Sequence, residues 1–102
     1  MNLITALVLK EESRNLHMRK FYEEQIDALP RGTIIKKRVG ANEYYYLKYR
    51  KGDKTLTDYL GKDTEKVEQT KQQLQKRKHF EAMQAELNKE HKIIKQILEK
   101  VQ

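Results

Sequence analysis

The chain has 102 residues, of which 37% are hydrophobic and 36% are charged, and its formal net charge is +7. This length and composition exclude a deep core and favour elongated helices or oligomerisation. The absence of cysteine excludes disulfides and thiol chemistry, and no apolar run approaches the roughly 18 residues of a membrane span.

The first segment, residues 1–29, is predicted to be a helix from about Asn2 to Ala28. Residues at spacings of three and four form its stripe: Ile4, Val8, Glu11, Asn15, Met18, Tyr22 and Leu29. Pro30 ends the helix, because the residue before a proline is pushed out of α geometry. After Gly32 the chain is predicted to continue as a strand.

Residues 31–62 are predicted to form a three-stranded antiparallel meander. Its strands are Thr33 to Val39, Glu43 to Arg50 and Lys54 to Leu60. The first hairpin loop is Gly40-Ala41-Asn42, and Lys51-Gly52-Asp53 is the second turn. The middle strand, EYYYLKYR, is the clearest, because tyrosine is enriched in strands.

Residues 63–102 are predicted to form one long helix, from about Thr64 to Val101, which Asp63 or Thr64 caps. A seam of 3–4 spacing follows Val67, Leu74, Phe80, Met83, Leu87, His91, Ile94, Leu98 and Val101. We expect His91, the polar residue on this seam, to set its register. The helix either forms an antiparallel hairpin with the first one or pairs with a second copy as a coiled-coil homodimer. The fold class is therefore α+β, in a single domain.

Most of the excess charge lies in the strand segment. Residues 1–30 carry a net charge of −1, residues 31–62 carry nine basic and three acidic side chains, net +6, and residues 63–102 carry +2. A local positive field of this kind attracts polyanions by electrostatic steering and counterion release.

Side chains alternate between the two faces of a strand. We assign the more apolar set to the core: Ile35, Val39, Tyr45, Leu47 and Tyr49. The opposite, exposed face then carries Lys36, Arg38, Tyr44, Tyr46, Lys48 and Arg50. These six residues, together with Lys54 of the third strand, are the candidate nucleic-acid-binding residues. Such cations neutralise phosphates, and tyrosines bond the backbone or stack on bases. Two other interpretations stay open, cross-strand tyrosine packing and lysines that protect an edge strand.

Catalysis is not expected. Ser13 is the only serine, the chain has no cysteine, and no two of its three histidines have the i, i+4 spacing of a helical metal pair. We predict no catalytic residue, no metal and no cofactor. The basic cluster at residues 75–79 is either a solvated face or an extension of the phosphate-binding surface.

Three motifs carry a resemblance: Leu29-Pro30-Arg31-Gly32-Thr33, then EYYYLKYR, then Asp58-Tyr59-Leu60-Gly61-Lys62-Asp63 before a long charged helix. Over about residues 28–90 the chain resembles a small uncharacterised family of bacterial and mobile-element proteins, which supplies no activity. Its three strands and following helix are also similar to the arm-binding domain of tyrosine recombinases. That resemblance implies DNA binding by the sheet, although the leading helix is extra and the closing helix is longer here.

The sequence therefore predicts a cytoplasmic, non-enzymatic nucleic-acid-binding protein without a membrane partner, with DNA favoured over RNA. The alternative is a small phage or mobile-element inhibitor or adaptor, anti-CRISPR-like or antitoxin-like, that binds a protein or nucleoprotein partner. A purely structural coiled coil is the third interpretation.

Overall fold

The structure is a computed structural model that describes residues 2–62 and 64–101. Its elements are α1 (Leu3–Asp27), β1 (Thr33–Val39), β2 (Asn42–Lys51), β3 (Lys54–Gly61) and α2 (Thr64–Val101). The predicted α+β order of a helix, a three-stranded antiparallel sheet and a long helix is confirmed. Neither described helix has the apolar length needed to cross a bilayer.

The described residues gather into two compact units. The helical unit contains the residues up to Ala28 and those from Lys78 onward. The sheet unit is Leu29–Arg77, so that α2 contributes to both units.

The helix starts and ends follow local capping chemistry. The Asn2 side chain accepts a hydrogen bond from the Thr5 backbone N–H at 2.8 Å, which caps α1. The helix ends at Asp27, before Pro30, as predicted. Thr64 is the first residue of α2 rather than its cap, and Asp63 lies outside the described residues.

In the helical unit, α1 and α2 run antiparallel. The Asn15 side chain donates to the Leu87 carbonyl, and the rings of Tyr22 and Phe80 lie 5.5 Å apart between centroids. A later position in α1 therefore contacts an earlier position in α2, as it must when two helices are antiparallel. The predicted helical hairpin is the observed arrangement, while pairing with a second copy stays a prediction.

The fully buried residue of this hairpin is polar. Asn15 is 0% exposed, its Nδ2–H donates to the Leu87 carbonyl at 2.9 Å, and its Oδ1 accepts from Arg19 Nε–H at 2.8 Å. A buried amide between helices disfavours other registers, because a slip would leave it unsatisfied. The register role expected of His91 is therefore better filled by Asn15, since His91 is only half-buried.

The apolar stripes of the two helices are only partly covered. Ile4 and Val101, which the sequence placed on the stripes, are 66% and 44% exposed, whereas Thr5 is buried. Among the described residues of the helical unit, eight large apolar side chains are exposed: Leu3, Ile4, Leu7, Leu16, Phe21, Ile93, Ile97 and Val101. The hairpin thus has a thin core of Ile26, Leu87, Ile94 and Leu98.

The sheet unit has one covered face. Leu47 of β2 is buried, and Val67 and Thr70 of α2 are buried in the same unit. A three-stranded sheet needs a packed face of this kind for stability. Arg77 Nη1–H donates to the Leu29 carbonyl at 2.7 Å, which ties this part of α2 to the segment before β1.

We predict that Asn15→Ala lowers the free energy of unfolding by about 1–3 kcal/mol, because the change empties a buried site and leaves the Arg19 side chain without its acceptor. Urea unfolding followed by circular dichroism measures the effect. Ser13→Ala, an exposed change on the same helix, is the control and should cost less than about 0.5 kcal/mol. Equal stability of the two variants would contradict the role given to Asn15.

Candidate nucleic-acid interface

The register of the strands determines which side chains share a face. In the β1–β2 pair, Ile34 lies opposite Leu47 and Ile35 lies opposite Tyr46. Residues directly opposite each other in an antiparallel pair project to the same side of the sheet. Ile34 is therefore on the covered side with Leu47, and Ile35 is on the other side with Tyr46.

The β2–β3 pair extends both faces. Tyr46 lies opposite Tyr59, and Leu47 lies opposite Asp58, with a register shift between Tyr45 and Tyr46. We call the covered side the leucine face: Ile34, Lys36, Arg38, Glu43, Tyr45, Leu47, Tyr49, Lys51, Lys54, Leu56 and Asp58. We call the other side the tyrosine face: Thr33, Ile35, Lys37, Val39, Asn42, Tyr44, Tyr46, Lys48, Arg50, Thr55, Thr57 and Tyr59.

The predicted grouping of the site residues on one face is wrong. Tyr44, Tyr46, Lys48 and Arg50 lie on the tyrosine face, but Lys36, Arg38 and Lys54 lie on the leucine face. Two residues assigned to the core, Ile35 and Val39, lie on the tyrosine face instead.

The physical reason is that both turns are one residue shorter than predicted. Lys51, expected in the second turn, pairs with Lys54 and so places Lys54 on the leucine face. The first turn shows the same difference. The sequence suggested the loop Gly40-Ala41-Asn42, which would place Val39 opposite Glu43. In the structure Val39 lies opposite Asn42. A register change of one residue moves every β1 side chain to the other face relative to β2.

Three tyrosine rings cluster on the tyrosine face. The Tyr59 ring centroid lies 5.4 Å from that of Tyr46 and 6.2 Å from that of Tyr44. Lys37 Nζ lies 5.0 Å from the Tyr46 centroid, and Lys62 Nζ lies 5.0 Å from the Tyr44 centroid. These are cation–π distances, so the cluster places positive charge directly beside aromatic surface.

Lys37, Tyr59 and Lys62 belong to this surface but not to the set of site residues predicted from the sequence. A two-residue turn would have placed Lys37 with the tyrosines. Tyr59 and Lys62 belong to the Tyr-Leu-Gly-Lys motif, which carries the family resemblance and gives no sign by itself of a place on this face.

The other end of the tyrosine face holds a shallow depression. Its lining includes Thr33, Ile35, Lys48, Arg50 and Thr55. Arg50 Nε–H donates to the Gly52 carbonyl at 3.3 Å, which orients the exposed guanidinium group. The depression therefore brings two cations and two hydroxyl groups together, a set that suits a phosphate oxygen.

The charges of the two faces differ. The acidic residues of the strands, Glu43 and Asp58, both lie on the leucine face, and Asp53 is in a turn. Lys36 Nζ lies 3.4 Å from the Glu43 carboxylate, so its charge is partly compensated. No acidic residue is present among the described positions of the tyrosine face.

A scan against known protein families gives a match over residues 9–69, to a domain of unknown function. The chain belongs to the DUF6788 family. The matched region contains most of α1, the whole sheet and the beginning of α2. No curated protein and no solved structure matches the chain, and the similarity to recombinase arm domains stays a prediction.

Two further features of the sequence concern metal binding and the basic cluster at residues 75–79. Within residues 2–62 and 64–101, no three histidine or acidic side chains gather as they would around a metal ion. In the basic cluster of α2, Arg77 binds the Leu29 carbonyl, and the His79 ring lies 5.9 Å from the Phe80 ring.

One tyrosine of the leucine face has an altered acidity. Partial desolvation raises the pKa of Tyr49 above its usual value, and a hydrogen bond to Asp58 and the negative charge of that carboxylate raise it further. The nearby Arg31 acts in the opposite direction. The folded state therefore holds the phenolic proton more tightly than the unfolded chain does.

This pKa shift predicts a stability change in alkali. The contribution of Tyr49 is complete below the unfolded pKa of about 10 and is lost as the pH rises through the higher folded value. Urea unfolding at pH 8 and pH 11 should show a larger loss of stability in the parent than in Tyr49→Phe, which cannot ionise. An equal loss in both proteins would show that Tyr49 does not carry this linkage.

Proposed function

We propose that this protein is a non-enzymatic nucleic-acid-binding module whose tyrosine face contacts the phosphate–sugar backbone. One observation supports the proposal above the others. The face combines cations with two half-buried tyrosine rings and one exposed ring, and it carries no acidic side chain among its described residues. A polyanion therefore meets attraction over the whole face.

The depression is the proposed site of the first phosphate contacts. Lys48 and Arg50 are two residues apart on one strand, so their attachment points are about 7 Å apart on the same face. The hydroxyl groups of Thr33 and Thr55 line the same depression. Lys48 acts as a point charge, while the planar guanidinium of Arg50 can offer two parallel donors to a phosphate.

We propose a different set of contact residues from the one expected from the sequence. It now contains Lys37, Tyr44, Tyr46, Lys48, Arg50, Tyr59 and Lys62. The leucine-face cations Lys36, Arg38 and Lys54 are left out, because that face holds the buried Leu47 and both strand carboxylates.

The decisive comparison uses two variants with the same loss of charge on opposite faces. Lys48→Gln/Arg50→Gln removes two cations from the tyrosine face, and Lys36→Gln/Arg38→Gln removes two from the leucine face. We expect the first variant to bind a labelled single-stranded DNA at least tenfold more weakly. The slope of the logarithm of its affinity against the logarithm of the salt concentration should fall in magnitude by roughly 0.7 for each phosphate that the variant no longer neutralises. Fluorescence anisotropy between 50 and 200 mM salt measures both quantities, with duplex DNA and RNA as parallel ligands.

The leucine-face variant is the control for the general loss of positive charge. It should lower the logarithm of the affinity for single-stranded DNA by less than half as much as the tyrosine-face variant does. Equal weakening by the two variants would contradict the assignment of the face. An absence of binding by the parent to DNA and RNA at 50 mM salt would contradict nucleic-acid binding altogether.

A second experiment separates nucleic-acid binding from the alternative function of a protein-binding adaptor. The tagged chain is recovered from a lysate with and without nuclease treatment. Release of the captured material by nuclease supports the proposed function. A stoichiometric protein that survives nuclease, and that the Lys48→Gln/Arg50→Gln variant fails to capture, would contradict it and favour an adaptor.

A further inference from the structure

We propose that the rings of Tyr44, Tyr46 and Tyr59 form a stacking site for unpaired bases, so that the ligand of the tyrosine face is a single strand and not a closed duplex. This inference rests on the proposed function and names the class of nucleic acid that it takes.

The exposure of Tyr59 is the first support. Its ring contacts both neighbouring tyrosines, yet the residue is 57% exposed, while Tyr44 and Tyr46 are half-buried. Tyr59 therefore has neighbours on one side and solvent on the other. An open aromatic surface held by neighbours is what a base needs for stacking.

The way the rings are held is the second support. All three belong to strands, where Tyr46 and Tyr59 are directly opposite each other. Such a pair restricts both side chains before any ligand arrives. A tyrosine has only two side-chain torsions, so little further freedom is lost when a base stacks on it.

The apolar residues of the face are the third support. Val39 is 61% exposed and Ile35 is half-buried, and both lie on the tyrosine face beside the cations. Contact with a phosphate does not stabilise apolar and aromatic surface, whereas contact with a base contributes favourable binding free energy. The mixed surface therefore fits a ligand that offers bases and phosphates together.

A closed duplex does not offer that combination. Its bases present only their edges in the grooves, because their flat faces are covered by the neighbouring base pairs. Single strands leave those flat faces accessible to aromatic side chains. Lys37 and Lys62, whose ammonium groups lie 5.0 Å from the Tyr46 and Tyr44 centroids, can then meet the phosphates that flank a stacked base.

The test compares three ligands with matched phosphate numbers: single-stranded oligothymidylate, an abasic strand of the same length, and a blunt duplex. The parent should bind oligothymidylate about fivefold or more tightly than the abasic strand, since one stacked base contributes about 1–3 kcal/mol. Tyr59→Leu should lose most of this preference and keep its affinity for the abasic strand. Tyr59→Phe, which keeps the ring, should retain the preference.

A second readout does not depend on variants. The chain contains six tyrosines and no tryptophan, so its intrinsic fluorescence comes from tyrosine, and three of the six rings belong to the proposed site. Oligothymidylate should quench this fluorescence, and the abasic strand should not.

The outcomes separate the two proposals. Equal affinity of the parent for oligothymidylate and the abasic strand, or tighter binding of the duplex, would overturn the stacking site and leave phosphate binding intact. A lack of binding to all three ligands would overturn the proposed function, and the stacking site with it. An unchanged base preference in folded Tyr59→Leu would also overturn the stacking site.

Discussion

The two-residue turn between β1 and β2 determines which side chains of the sheet act together. Because side chains alternate, the pairing of Val39 with Asn42 places Lys37 with the tyrosines and Lys36 with Glu43. Gly40 permits this tight turn with its positive φ of 64°. A loop longer by one residue would exchange the two β1 sets, so that Lys36 and Arg38 would join the β2 tyrosines and Lys37 would move to the side of Glu43.

The rest of the sheet unit supports this register. Gly32, just before β1, passes so close to β2 that a Cβ atom there would overlap the Lys48 carbonyl, so this position admits no larger residue. The Arg77 bond to the Leu29 carbonyl fixes the preceding segment. Burial of Leu47 and Val67 makes the leucine face the covered one, which leaves the tyrosine face to solvent.

The elements were predictable from the sequence because their signals are local. Pro30, the turn glycines and the unbroken helical pattern after Thr64 placed every boundary within one or two residues. The candidate site was only partly predictable. The alternation of side chains within each strand can be seen in the sequence, but the turn length decides which set of β1 lies on the same face as which set of β2. The burial of Asn15 in place of His91 likewise depends on how the helices meet, which spacing along one helix does not determine.

Lysine footprinting tests the central claim most directly, because neighbouring lysines of the sheet report opposite faces. The protein is treated with an amine-reactive reagent, with and without a saturating single-stranded DNA, and modification at each lysine is read by fragmentation mass spectrometry. We expect protection of Lys37, Lys48 and Lys62, and continued reactivity of Lys36, Lys51 and Lys54. Protection of Lys36 and Lys54 with reactive Lys37 and Lys48, or equal protection of both sets, would contradict it.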